Sequence, residues 1–227
     1  MKFLSVLLGI SLAANAQPQN QTLDGLYLQL VYAFGNMQTT HLFFLPDGRF
    51  MEGVPQGGLT GADYDRTCLT GKVFCGTYKI TGNRIKILDA QGKVSRDDSF
   101  SREADGNIQV GNFASKAAPF PAGQKLDGRY QWAGSSSTGS VMASRTYEFH
   151  PDGTVQTSSF GAVSTAEVSA QSKSPLKSGT YRVMGNVIEI TVDGQTQRLV
   201  AFPFAMGNGE PPMRPGRISI DGALYKP

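Results

Sequence analysis

Catalysis needs nucleophiles, acids or bases held in register, and few residues here can supply them. The 227-residue chain has two histidines, His41 and His150, and two cysteines, Cys68 and Cys75. Neither histidine has a motif pairing it with Ser or Cys, and no G-x-S-x-G elbow occurs. The cysteines enclose "CLTGKVFC", too wide a spacing for a C-x-x-C redox pair. In an exported chain an isolated pair is expected as one disulfide, worth about 2–3 kcal/mol for so short a loop. Beside it stand Asp63, Tyr64 and Asp65. Two carboxylates two residues apart can share acid–base work or begin a calcium site. No further oxygen ligands follow at loop spacing, so no catalytic residue, metal site or cofactor is expected. These three residues remain loop candidates within the unshared segment from Val54 to Phe74.

The elements that would position any site are declared by repetition. "LDGLY" at Leu23 returns as "LDGRY" at Leu126, and "FFLPDGRF" at Phe43 as "YEFHPDGTV" ending at Val155. "GTYKITGNRIKILDAQGK" at Gly76 returns as "GTYRVMGNVIEITVDGQT" at Gly179, and "GNIQVGNFASK" at Gly106 as "GRISIDGALYK" at Gly216. The four blocks recur in one order at offsets of 103 to 105 residues, widening to 110 in the last. A period this long marks a duplicated domain rather than a solenoid, whose repeats run to roughly 20–50 residues.

Within the blocks apolar residues alternate with polar ones. Tyr181 and Val183, then Ile188, Ile190 and Val192, have a period of two, as do Tyr78, Ile80, Ile85 and Ile87. That is the pattern of strands with one face in a core. Gly82-Asn83 and Gly185-Asn186 interrupt the pattern as tight turns, and the two Pro-Asp-Gly triplets mark a second hairpin in each copy. No sustained helical period is present. The fold class is therefore all-β: two tandem repeats, each a small antiparallel meander or barrel of about seven or eight strands. The alternative is one composite barrel or sandwich built from both repeats. The boundaries read as a leader 1–16, a tail 17–22, a first repeat 23–116, a linker 117–125 and a second repeat 126–227.

The leader has Lys2, an apolar run from Phe3 to Ala13, and Ala14-Asn15-Ala16 as a peptidase site, so cleavage after Ala16 and a secreted or periplasmic location are expected. No stretch is long enough for a membrane span. The formal charge of +3 comes from scattered Lys and Arg, without the clustering that nucleic-acid binding requires. The residues duplicated between copies are turn formers and core residues, so unshared segments are the places to look for function. Phe202 to Arg217, "FPFAMGNGEPPMRPGR", combines Phe202, Phe204, Met206, Met213 and Arg214 with four prolines, and reads as a lid or a partner contact. The counterpart of the disulfide loop, "GAVSTAEVSAQSKSPLKS", reads as a mobile loop.

Gly25-Leu26-Tyr27 and Gly128-Arg129-Tyr130, each followed by an aromatic-x-Pro-Asp-Gly hairpin and a "GTYxxxGNxIxI" block, resemble small lipocalin-like (calycin-type) domains of secreted bacterial proteins. Lipocalins carry G-x-W on the first strand, where Tyr stands here, with Trp132 two residues beyond the second Tyr. The resemblance implies a barrel holding a small apolar or amphipathic ligand, with Tyr27, Tyr130 and Trp132 as contact candidates. The other reading is an envelope or extracellular module with filled cores that meets a protein partner.

Overall fold

The computed structural model describes residues 22–33, 36–121, 123–135, 141–164, 169–204 and 216–227. The first repeat runs β1 (Gly25–Ala33), β2 (Asn36–Phe44), β3 (Arg49–Glu52), helix α1 (Gly61–Cys68), β4 (Phe74–Thr81), β5 (Arg84–Asp89), β6 (Val94–Arg102), β7 (Ile108–Val110) and β8 (Asn112–Lys116). Its strands pair in sequence order, and β8 returns to β1, so eight strands close a barrel. Closure follows from the pattern: Phe44, Phe50, Ile85, Ile87, Phe100 and Ile108 all face one side, and rolling the sheet buries them together and removes its edges.

The second repeat runs β9 (Gly128–Ser135), β10 (Val141–Phe149), β11 (Thr154–Ser164), β12 (Ser169–Lys173), β13 (Lys177–Met184), β14 (Val187–Val192), β15 (Gln195–Pro203), β16 (Ile218–Ile220) and β17 (Ala223–Tyr225). The nine strands repeat the meander, with β12 as an addition paired only to β11. Its ends meet where Gln131 and Lys226 exchange backbone hydrogen bonds of 2.7 and 3.0 Å. Each copy therefore builds its own barrel-like sheet and core, and the composite arrangement is not the one adopted.

The recurring sequence blocks turn out to be structural fixings. The Tyr78 hydroxyl accepts from Leu23 N (2.7 Å) and faces the carbonyls of Leu23 (3.0 Å) and Leu45 (3.2 Å). Tyr181 repeats this with Leu126 N (2.7 Å), Leu126 O (2.8 Å) and His150 O (3.0 Å). One hydroxyl thus ties the lead-in segment, whose Leu23 or Leu126 plugs one end of the barrel, to the Pro-Asp-Gly turn beside it. A Cβ on Gly76 would lie 1.9 Å from Leu88 O, and one on Gly179 2.1 Å from Thr191 O, so only glycine lets the neighbouring strand approach. Asp47 and Asp152 accept from the backbone of Arg49 (3.1 Å) and Thr154 (2.8 Å) as turn residues.

Four departures from the sequence reading have physical causes. The loop after β3 contains α1, whose N-cap Thr60 and third residue Asp63 bond reciprocally to each other's backbone N–H. The expected mobile loop of the second copy is instead the long arm formed by β11 and β12, with residues 165–168 outside the described part. The linker segment packs on the second barrel, where Phe120 is buried in the core and its N–H donates to Gly185 O (3.2 Å). Finally, β1 to β3 are apolar on both faces. Leu26, Leu28, Phe43, Leu45 and Met51 point away from their own core and, with Tyr64 of α1, pack on Val200 and Phe202 of β15. That contact joins the two barrels.

Candidate functional site

The loop candidates of the first repeat are absorbed by the fold. Asp63 caps α1 through Thr60 N (3.1 Å) and Thr60 Oγ1 (2.6 Å). Tyr64 donates to the carbonyls of Phe50 (3.2 Å) and Gly76 (3.0 Å), holding the helix on β3 and β4, and Arg49 stacks over its ring at 5.0 Å. Asp65 pairs with Arg49 at 2.7 Å. The Cys68–Cys75 disulfide ties the C-terminal end of α1 to β4. None of these groups converges on a shared reacting position, and among the described residues no cluster of three or more His, Cys, Asp or Glu side chains could hold a metal.

The aromatic candidates are core residues. Tyr27 and Tyr130 are buried inside their barrels, with Trp132 packed against the second core. Phe202 and Phe204 belong to the contact between the barrels. Met206, Met213 and Arg214 lie outside the described residues.

The open feature lies elsewhere, at the end of the second barrel opposite the Leu126 plug. A cavity of about 570 Å³ opens there between β10, β11, β13, β14 and the start of β15. Alternation on these strands decides which side chains reach it. Tyr147 and Ile190, members of the core, form its floor, and Val192 continues the apolar wall. Above them Arg145, Thr157, Ser159, Lys177 and Gln197 supply a polar wall. Ser174 closes one side, its N–H donating to Ser159 O (2.9 Å) and its hydroxyl meeting that of Ser159 at 3.1 Å. Lys177 is neutralised by Asp193 at 2.6 Å.

Arg145 is different. Its Nη1 donates to the Tyr147 hydroxyl over 3.5 Å, and it takes part in none of the ion pairs among the described residues. Burial pushes the Tyr147 phenol above its ordinary range, against the pull of the Arg145 charge, so the pair does not exchange a proton at neutral pH. The carboxylate electrostatically coupled to Arg145 at this end is Asp221, whose Oδ1 accepts from Val200 N at 2.8 Å; burial raises its pKa, while that bond and Arg145 oppose the shift.

The first barrel carries different side chains at the same end. Matching registers place Phe44 with Phe149, Phe50 with Val155 and Ile87 with Ile190. Thr40 then corresponds to Arg145, Glu52 to Thr157, Arg96 to Gln197 and Asp98 to Leu199. Arg96 pairs with Asp98 at 2.8 Å and with Glu52 at 3.6 Å, so its charge is answered from both sides. Sequence reasoning missed the second-barrel site because it searched loops and duplicated polar residues. The signal was a charged residue in the inward register of "VMASRTYEF", where Arg145, Tyr147 and Phe149 alternate.

No protein-family model matches this chain, and comparison with curated proteins and with solved structures likewise finds no match. No helix among the described residues is long and apolar enough to cross a membrane.

Proposed function

We propose that this chain is a secreted, lipocalin-like binding protein whose second barrel holds a small amphipathic ligand. The cavity over Tyr147 and Ile190 carries this reading: its volume of about 570 Å³ falls in the ~300–1,000 Å³ range of ligand pockets. An apolar floor under a wall of hydroxyl, amide and charged groups suits a ligand with both characters. Export is supported by the leader pattern ending at Ala16, in residues outside the described part, and by the Cys68–Cys75 disulfide, which persists in oxidising compartments. The lipocalin-like reading is supported by the Gly-x-Tyr first strands and by a meander barrel plugged at one end by the segment before it. Native mass spectrometry of the full chain exported by its own host tests the reading. It predicts a retained small-molecule mass that disappears in Ser159→Trp, where the indole fills the cavity; a ligand-free mass for the unaltered protein contradicts it.

A second reading, a module that meets a protein partner, has one observation in its favour. The arm of β10 and β11 beyond the barrel presents Val141 and Val163 exposed side by side as cross-strand partners, with Met142 exposed on its other face. Apolar side chains exposed together are a contact surface more often than single ones are. Capture of a partner that is lost in Met142→Lys and Val163→Lys but retained in Ser159→Trp favours this reading over the first.

A further inference from the structure

We infer that the cavity of the second barrel takes a small organic monoanion, a carboxylate or sulfonate, whose charged oxygens rest on the Arg145 guanidinium while its apolar body lies against Tyr147, Ile190 and Val192. This rests on the ligand-binding reading above and specifies the ligand's chemistry. The comparison between the barrels carries it. Two copies of one frame inherited the same inward positions at this end. In the first, the cation Arg96 is compensated by Glu52 at 3.6 Å and Asp98 at 2.8 Å. In the second, Thr157 and Leu199 replace both carboxylates, Gln197 replaces the arginine, and Arg145 appears where the first copy has Thr40.

The charge count in the cavity is then decided by three groups. Lys177 and Asp193 cancel at 2.6 Å, leaving Arg145 with one unit of charge. Asp221, the nearby carboxylate, is occupied by Val200 N–H and makes no ion pair with Arg145 among the described residues. A guanidinium offers a planar fork of donors that fits two oxygens of one oxyanion side by side. In a concave site of reduced dielectric such a pair is stronger than at an open surface. One positive charge without an ion-pair partner among the described residues calls for one negative charge, whereas a dianion would leave an excess. The hydroxyls of Ser174 and Thr157 line the same cavity as further donors, Ser159 giving its own proton to Ser174. The apolar floor one step deeper sets the body of the ligand inward and its charge toward the mouth.

Two dyes separate charge from shape: 8-anilinonaphthalene-1-sulfonate, and N-phenyl-1-naphthylamine, the same ring system without the sulfonate. Both are titrated by fluorescence into the full disulfide-bonded chain, with thermal melts confirming that each variant folds. Arg145→Gln is expected to weaken the sulfonate at least about tenfold and the neutral dye less than about twofold, one charge-assisted pair being lost. Arg145→Lys is expected to recover part of the loss. Rising NaCl weakens the sulfonate in the unaltered protein and not in Arg145→Gln. If Arg145→Gln leaves sulfonate binding unchanged while Ser159→Trp abolishes it, the anion inference is overturned and the cavity reading stands. If Ser159→Trp changes neither dye, the cavity reading falls with it.

Discussion

The two barrels share a frame and differ at one end. In the shared frame they are closely matched in chemistry: Tyr78 and Tyr181 make matching hydroxyl contacts at the plugged end, and Gly76 and Gly179 admit the same close strand approach along β4 and β13. At the other end the first barrel carries the ion pairs of Arg96 with Glu52 and Asp98, while the second opens into a cavity walled by Arg145. What duplication kept is what the fold needs. What diverged, on strands rather than in loops, is where a ligand can be received.

The sharpest way to break this comparison is to attack the shared frame. Ala at Gly76 or Gly179 would drive a Cβ into a backbone carbonyl that sits on a paired strand, and neither partner can move alone. Each substitution is expected to cost about 4 kcal/mol or more, with similar losses in the two barrels. Chemical denaturation of both variants checks this, and a large cost in only one copy would mean that the frames are not equivalent.

The contact between barrels comes next, because it is a region the two copies do not share. His41 is buried there, its ring 6.1 Å from that of Phe202, and its Nε2 has no hydrogen-bond partner. Burial lowers its pKa to about 4 from 6.5. The unfolded chain therefore binds a proton that the folded protein refuses, so stability contributed above pH 6.5 is lost as pH falls toward about 4. The loss approaches about 3 kcal/mol. Urea melts from pH 7 to pH 4 should show this dependence, and His41→Leu should remove that part of it. An unchanged slope in the variant would place the titrating group elsewhere.

Smaller effects sharpen the comparison. Tyr78→Phe and Tyr181→Phe each leave a buried N–H of the plugging leucine without its acceptor and should cost about 2 kcal/mol, equally in both barrels. Arg96→Gln should cost less than about 1 kcal/mol, since Arg96 and its carboxylates are partly solvated. Thermal melts of the three variants order these costs, and a larger loss for Arg96→Gln than for the tyrosines would reverse the assignment of frame and mouth.

Much of the fold was legible because the repeat exposed it. Pro-Asp-Gly and Gly-Asn fix hairpins through local backbone preference, and the alternation around Tyr78 and Tyr181 fixes the inward face. Other parts depend on contacts the pattern does not name. Leu26, Leu28, Phe43 and Leu45 find their cover only on the second barrel, a contact no local pattern specifies. Helix α1 is short, and its capping pair, Thr60 and Asp63, was the sign that Asp63 was a structural residue rather than an acid. Arg145 was visible only as a charge in an inward register, and its meaning required knowing that Glu52 and Asp98 answer Arg96 in the other copy.

One measurement bears most directly on the claim that the mouths differ in function. Amide chemical shifts of the full chain, followed by NMR during titration with 8-anilinonaphthalene-1-sulfonate, locate binding residue by residue. The account predicts saturable shifts at Arg145, Thr157, Ser159 and Val192, with Thr40, Glu52 and Arg96 unmoved. Shifts centred on the first barrel, or on Met142 and Val163 of the outer arm with the cavity silent, would contradict it.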